Sequence, residues 1–365
     1  MENFNYFMPT KMMFGSDVVK RELGNINLGK KALIVTGKTS AKLCGALDDV
    51  LQALNGEYAI FDQVGNNPTV ENVLQGGKFA RENSCDYVIA IGGGSPLDAA
   101  KVIAILAVND VHPLDLYKSG WQNEALPIIA IPTTSGTGSE VTQYAVLTIE
   151  ESETKKGLGG PDLFPKVAFL DPEYTDSLPL QITIDTAVDA LSHLIEGYFS
   201  KRSTAASDLV ALQGISLWGT AISALREGNL NRDIRRNLLL ASSLGGITIA
   251  QTGTTLVHAL GYSLTYYHGY PHGRANGVLF AEYLRYTAGV ALEKVQTVLD
   301  LLGLSSVDEF ADVMNDLFSD YAGKLGLSET MINSYVKKAM QTKNVGNSLG
   351  NPSAKELTRI LEAIV

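Results

Sequence analysis

Cysteine is scarce in this chain. Its 365 residues hold two, Cys44 and Cys85, too few for a disulfide framework and suited to a reducing compartment. Basic runs are missing too. With 29 Lys and Arg against 39 Asp and Glu, the formal net charge is -10; that balance, with no Lys/Arg block, excludes a nucleic-acid partner and an anionic membrane partner. The start, Met1-Glu-Asn-Phe-Asn-Tyr-Phe-Met-Pro-Thr10, lacks the basic stretch and apolar core of a secretory signal. The longest strictly apolar run, Val102 to Val108, is far too short to span a bilayer. These absences lead to the expectation of a soluble, cytoplasmic protein. Histidine is also rare, with five in all, and its placement therefore carries information.

One of the five stands in Asp185-Thr-Ala-Val-Asp-Ala-Leu-Ser-His-Leu-Ile-Glu-Gly-Tyr198. The run reads as a helix, so Asp189 and His193, four residues apart, share one face. As an isolated pair they would be an ordinary helix-surface couple. Here Ala187, Val188, Ala190, Leu191, Leu194 and Ile195 surround them, and a helix apolar nearly all round is buried. Buried charges need partners or a metal. Three further histidines, His258, His268 and His272, fall within fifteen residues of one another, and two imidazoles added to Asp189 and His193 make a one-oxygen, three-nitrogen set that suits zinc or ferrous iron.

The length suffices for about two domains. An extended segment at 6–14, closed by Gly15, precedes β-runs at Ala32–Val35, Tyr58–Phe61, Tyr87–Ile91, Pro127–Ile131 and Val167–Leu170, the earlier ones separated by helical stretches at 41–54, 69–83 and 96–108. Such alternation predicts a mostly parallel, Rossmann-like sheet with helices on both faces, which binds ligands at the carboxyl ends of its strands. One such end is Ile89-Ala-Ile-Gly-Gly-Gly-Ser-Pro-Leu-Asp-Ala-Ala-Lys101. Its glycines let a bulky anion approach the backbone; Ser95 reads as the helix N-cap, Pro96 as the first helical residue, and Asp98 stands three after the cap. A strand, a tight turn and a helix N-terminus form a ready pyrophosphate site, although the order G-x-G-x-x-G is not met.

Two other strand ends bear on a nucleotide. Val35-Thr-Gly-Lys-Thr39 contains Gly-Lys-Thr, but position 32 is Ala where a P-loop needs glycine, so a P-loop is rejected. Sites that select NAD place a carboxylate against the ribose hydroxyls, where it would repel a 2′-phosphate. Gly37 has no side chain, and Lys38, Thr39 and Ser40 beside it supply donors, which favours NADP over NAD; Gly37 serves equally well as a plain turn glycine. Ile131-Pro-Thr-Thr-Ser-Gly-Thr-Gly-Ser-Glu-Val141 offers small hydroxyls and close backbone approach for a nicotinamide and its ribose. Residues 151–162 read as a loop or hairpin carrying Lys155 and Lys156.

Turn residues cluster around 170–179, and the pattern then becomes helical: 186–199, 204–225, 232–250, 254–266, 275–289, 291–302, 306–325, 328–341 and 353–364. The chain thus divides into an α/β domain at 1–178 and an all-α domain at 179–365. In the second, His258 lies within an apolar helical run, and His272, between Pro271 and Gly273, lies at a loop-to-helix junction.

At this point the chain resembles the iron-containing, or group III, alcohol dehydrogenases. The resemblance spans nearly all of it and rests on Gly92-Gly-Gly-Ser-Pro-Leu-Asp-Ala-Ala-Lys101, Pro132-Thr-Thr-Ser-Gly-Thr-Gly-Ser-Glu-Val-Thr142, Asp189-x3-His193, Val257-His258 and Pro271-His-Gly273. It implies a dehydroquinate synthase-like plan, with the nucleotide on the α/β domain and a metal, Fe2+ with Zn2+ as alternative, held in the cleft by Asp189, His193, His258 and His272. The resemblance also implies pyrophosphate at Gly93, Gly94 and Ser95, the nicotinamide side near Thr133, Thr134 and Thr137, a ribose contact from Lys155, and a homodimer, to which the segment 6–14 could lend a strand. Members with Gly rather than Asp at position 37 tend to accept NADP. Many members carry another histidine four residues after the third metal ligand; here that residue is Tyr262, which leaves the proton relay to Tyr262, to His268, to water or to no dedicated group.

The expected reaction is reversible hydride transfer between a small alcohol or diol, or the corresponding aldehyde, and the nicotinamide. The metal ligands His258 and His272 are counted with Tyr262 and His268 among the catalytic residues. A glycerol dehydrogenase-like polyol oxidoreductase, a lyase of the same plan and a non-catalytic nucleotide-binding protein are the competing readings.

Overall fold

The computed structural model of the protein describes residues 3–319 and 325–364. The chain divides into two compact units, Met8–Leu178, and Pro179–Val365 with Met1–Phe7. The first residues join the later unit because the Gln251 side chain pairs with both the backbone N–H and the carbonyl of Phe7.

The unit Met8–Leu178 runs β1 (Lys11–Phe14), α1 (Val18–Glu22), β2 (Lys31–Thr36), α2 (Ser40–Leu43), α3 (Ala46–Ala53), β3 (Glu57–Phe61), α4 (Val70–Glu82), β4 (Tyr87–Gly92), α5 (Gly94–Leu106), α6 (Leu116–Ser119), β5 (Ile128–Pro132), β6 (Tyr144–Ile149), β7 (Thr154–Gly159) and β8 (Val167–Leu170). Six strands form one parallel sheet in the order β1-β8-β5-β4-β2-β3, and β6 and β7 pair separately as an antiparallel hairpin. The parallel strands read as unbroken apolar runs because both faces are covered. Leu33, Val35, Val88, Ala90, Ile128 and Ala130 pack on one side with α5 residues such as Leu97 and Ile103; Ala32, Ile34, Ile89, Ile91, Ile129 and Ile131 pack on the other with Val18, Leu47 and Val50. Strand order reverses between β2 and β4, which lie side by side in register from Ala32↔Tyr87 to Thr36↔Ile91. The carboxyl ends of β2 and β4 therefore flank the switch point where such sheets bind ligands.

Pro179–Val365 is helical: α7 (Leu180–Tyr198), α8 (Ala205–Gly219), α9 (Ile222–Glu227), α10 (Arg232–Thr252), α11 (Leu256–His268), α12 (His272–Leu302), α13 (Val307–Leu317), α14 (Glu329–Met340), α15 (Lys343–Asn347) and α16 (Ala354–Glu362). Its core gathers α7 residues such as Leu191, Leu194 and Ile195 with Trp218, Leu260, Phe280 and Tyr283. None of the described helices is long and apolar enough to cross a membrane.

Several sequence expectations are corrected. The stretch 41–54 is two helices, because Gly45 adopts φ +82° and caps the second. The stretch 204–225 is also two, α8 and α9. The helices expected at 275–289 and 291–302 are, by contrast, borne out as the two arms of α12, divided by the non-helical Ala291 (φ -153°, ψ 60°). Of the helix expected at 306–325, residues 320–324 lie outside the described residues. Within the segment 6–14, Lys11–Phe14 pairs with β8 from Lys11↔Val167 to Phe14↔Leu170 and forms an edge strand of the sheet.

Candidate metal centre and dinucleotide cradle

The metal candidates are built on α7. Ala187, Leu191, Leu194 and Ile195 are fully buried, and so are the polar residues between them: Asp185, Asp189, Ser192, His193 and Glu196 are each at most 8% exposed. These polar positions recur every three or four residues, which puts them on one stripe. The starts of two other helices dock on that stripe. At its far end Glu196 Oε1 accepts the backbone N–H of Thr255, Val257 and His258 at 3.0, 3.1 and 3.3 Å and the Thr255 hydroxyl at 2.6 Å. The unpaired N–H groups of a helix start are satisfied by a carboxylate in this way, and α11 is fixed with His258 in its first turn. At the near end Arg274 donates to Asp185, Nε to Oδ1 at 2.9 Å. A Cβ on Gly273 would lie 1.7 Å from the Asp185 carbonyl oxygen, so only glycine lets α12 begin there with His272 over Asp189.

Asp189, His193, His258 and His272 come together. The Nε2 atoms of His193, His258 and His272 lie 3.9, 3.8 and 3.8 Å from Asp189 Oδ1, and His193 Nε2 is 3.1 Å from His258 Nε2. Ligand atoms of Asp189, His258 and His272 all lie within 4.8 Å of one another. Four ligands on tetrahedral bonds of about 2.1 Å stand roughly 3.4 Å apart; Asp189, His258 and His272 form a group near that spacing with the chemistry to hold zinc or ferrous iron, and His193 stands beside Asp189 and His258. The His272 side chain keeps 26% exposure against 6% or less for the other three, which makes its side the open one.

Two carboxamide or carboxylate groups missing from the sequence reading support these ligands. Glu196 Oε2 pairs with His258 Nδ1. Burial works against charge on both. On His258 the carboxylates of Glu196 and then Asp189 outweigh it and raise the pKa; on Glu196 the His258 ring and the donors to its oxygens hold the carboxyl below its ordinary value. Asn276 Nδ2, four residues after His272, donates to Asp189 Oδ1 at 3.2 Å and to Ser192 Oγ at 3.4 Å. The signal for Glu196 was present in the sequence: an acid seven residues after Asp189, on the same face of an apolar helix.

Tyr262 joins the cluster and His268 does not. The Tyr262 ring stacks on His272, centroids 5.6 Å apart and planes at 11°, and stands edge-on to His258 at 6.4 Å. His268 lies ten residues beyond His258 on α11, about 15 Å along the axis, and its Nε2 meets the Tyr335 hydroxyl at 2.9 Å.

In Met8–Leu178 the nucleotide candidates gather at the strand ends. The Ser95 N-cap expectation is corrected: Gly92 (φ +148°) and an extended Gly93 start α5 at Gly94, two residues earlier, with Gly93 as N-cap. Ser95 Oγ instead accepts the Asn67 N–H at 3.1 Å, and Lys155 Nζ donates to Asn67 Oδ1 at 2.7 Å. The loop after β5 lies directly against this turn, since Thr133 N donates to Gly92 O at 2.9 Å and a Cβ on Gly94 would come 2.5 Å from Thr137 Cγ2. Thr134 borders Gly93 similarly. Asp98 is committed within the protein, accepting Ser139 Oγ–H at 2.6 Å and Val146 N–H at 2.9 Å. Gly37 follows β2 directly, and Lys38, Thr39 and Ser40 beside it are exposed.

Residues 9–172 match the family described as iron-containing alcohol dehydrogenase, and residues 183–365 match the C-terminal part of the Fe-containing alcohol dehydrogenase family. The chain is 36% identical to lactaldehyde reductase of Escherichia coli strain K12 over 75% of this chain and 73% of that protein. It is 33% identical to 1,3-propanediol dehydrogenase of Klebsiella pneumoniae over 96% and 95%. Its fold matches the crystal structure of an iron-containing alcohol dehydrogenase from Thermotoga maritima with a TM-score of 0.91 at 38% identity, covering 99% of each chain.

Proposed function

The chain belongs to the iron-containing alcohol dehydrogenase family, and from that premise we propose that it is an Fe2+-dependent, NADP-preferring dehydrogenase acting on small primary alcohols or diols and their aldehydes. The observation that carries this reading is the convergence of Asp189, His193, His258 and His272, the first three buried and His272 on the open side. Asp189, His193, His258 and His272 would hold ferrous iron or zinc there, and the ion would supply Lewis-acid chemistry to the oxygen of the alcohol or aldehyde. Relatives with lactaldehyde and 1,3-propanediol in their names support a small oxygenated substrate, and a related sulfoacetaldehyde reductase solved with NAD+ supports a nicotinamide partner.

The chain's own groups divide the work. Asn276 and Glu196 orient Asp189 and His258. Tyr262 is assigned the alcohol proton because its ring lies on His272, whereas His268 is engaged by Tyr335. The α5 N-terminus at Gly93, Gly94 and Ser95 receives the pyrophosphate, flanked by Thr133, Thr134, Thr137 and Lys155. Gly37, with no carboxylate to repel a 2′-phosphate, supports NADP. Under this reading the enzyme works as a homodimer in the cytoplasm.

The test is anaerobic: Fe2+-loaded protein is offered butanal with NADPH and NADH in parallel. Faster loss of NADPH, abolished by a chelator, is the expected result; no loss with either cofactor, for butanal or for polyols, would overturn the proposal.

A further inference from the structure

We infer that Glu196 is a positioning residue for the cation, which acts by fixing the tautomer of His258. The neutral imidazole of His258 carries one proton, on Nδ1 or on Nε2. Its Nδ1 faces Glu196 Oε2, and the other oxygen of that carboxyl accepts three N–H groups and a hydroxyl, so the side chain is built as an acceptor and the ring proton belongs on Nδ1. That leaves the Nε2 lone pair turned toward Asp189 Oδ1, 3.8 Å away, and toward His193. A cation requires a lone pair there, and the other tautomer would point an N–H at it.

The two oxygens of Glu196 do different things. Oε1 is the structural atom, holding three backbone N–H groups and the Thr255 hydroxyl, which is itself 2.9 Å from the Tyr283 hydroxyl. Oε2 addresses the His258 ring. Glu196→Gln separates them: its amide oxygen can keep the Oε1 bonds, while its NH2 donates to Nδ1 and forces the ring proton to Nε2, against the cation. The inference rests on the four-ligand reading above, and His272→Ala tests that reading independently.

The experiment measures Zn2+ dissociation constants of the metal-stripped full-length chain by competition with a chromophoric chelator, for wild type, Glu196→Gln, Thr255→Val and His272→Ala. Imidazole 15N spectra of the metal-stripped wild type, recorded at high pH where the ring is neutral, accompany it. Glu196→Gln is expected to bind Zn2+ about 10–100-fold more weakly, Thr255→Val to bind as wild type does, and His258 to show its proton on Nδ1. Wild-type affinity in Glu196→Gln beside a loss in His272→Ala overturns the inference. So does an equal loss in Thr255→Val, which would make Glu196 a structural residue only. Wild-type affinity in His272→Ala overturns the underlying four-ligand reading instead. If Glu196→Gln does not fold, the spectrum decides: a proton on Nδ1 upholds the inference, and one on Nε2 overturns it.

Discussion

Adding one methyl group at Gly273 tests whether the metal centre depends on how closely α12 approaches α7. In Gly273→Ala the new Cβ would stand 1.7 Å from the Asp185 carbonyl oxygen, 2.8 Å from its carbon and 3.0 Å from Asp189 Cβ. Restoring even a 3.0 Å separation from the oxygen requires a shift of 3.0 - 1.7 = 1.3 Å. The obstacle is the backbone of a buried helix, which cannot turn aside as a side chain can. Overpacking of this kind costs up to about 3 kcal/mol, while alanine in a helix gains roughly 1 kcal/mol over glycine. A net loss of about 2 kcal/mol follows, or roughly 4–8 °C in Tm for a unit of this size. The same shift carries His272 from Asp189 by several times the roughly 0.2 Å tolerance of a metal–ligand bond, so Zn2+ affinity should fall by at least about tenfold. Calorimetry of the metal-free chain and chelator competition measure the two effects. A variant that melts at or above wild type and holds Zn2+ equally well would refute the steric argument.

His258→Ala is expected to lose bound metal and turnover while keeping dinucleotide affinity, measured by metal analysis and NADPH fluorescence titration. Tyr262→Phe should lower kcat by at least about tenfold and change its pH profile, with metal content unchanged; an unaltered profile would remove Tyr262 from the proton path. Gly37→Asp should shift the kcat/KM preference from NADPH toward NADH by at least about tenfold, and no change would mean that Gly37 is only a turn residue. Lys101 is 1% exposed and donates to Ser139, Thr142 and the Tyr144 carbonyl. Burial, opposed by Asp98 and Glu140, lowers its pKa from 10.5 to about 8. Between those values the unfolded chain binds more protons, so the contribution of Lys101 to stability rises with pH across that interval, by about 3 kcal/mol. Urea unfolding of wild type and Lys101→Met at pH 8 and pH 10 should show the difference between them growing, and a constant difference would contradict it.

Legibility in the sequence followed burial. Residues Ala32–Val35, Tyr87–Ile91 and Val167–Leu170 read as strands because both sheet faces are covered there, and a short apolar run between turn residues leaves little choice. The hairpin strand Tyr144–Ile149 was missed because its ladder partner is the polar, glycine-bearing Thr154–Gly159, outside the main sheet. The start of α5 was placed two residues late because Ser-Pro is the stronger capping signal, yet the Gly92 turn had already set the helix direction. Among the metal candidates, Asp189 and His193 stood out by their spacing within an apolar helix. His258 and His272 had local cues, an apolar helical run and a Pro-His-Gly junction, but their choice over His268 as ligands came from the family resemblance. What separates the three is tertiary: Glu196 at the start of α11, Gly273 at the start of α12, and Tyr335 beside His268.

The stripe on α7 inverts the usual order of an amphipathic helix, with its acids facing inward. Asp185, Asp189 and Glu196 lie buried within three turns, an arrangement whose desolvation cost needs an answer at each position. The answers differ in kind. Arg274 meets Asp185 from the first turn of α12, and the N–H groups of α11 meet Glu196. Asp189 faces three imidazoles. The outer two acids thus anchor the two helix starts that deliver His272 and His258 to the central one. Under the proposed reading, removing either anchor should displace a metal ligand, and the function depends on Asp185 through geometry, on Glu196 through geometry and the His258 tautomer together, and on Asp189 through chemistry.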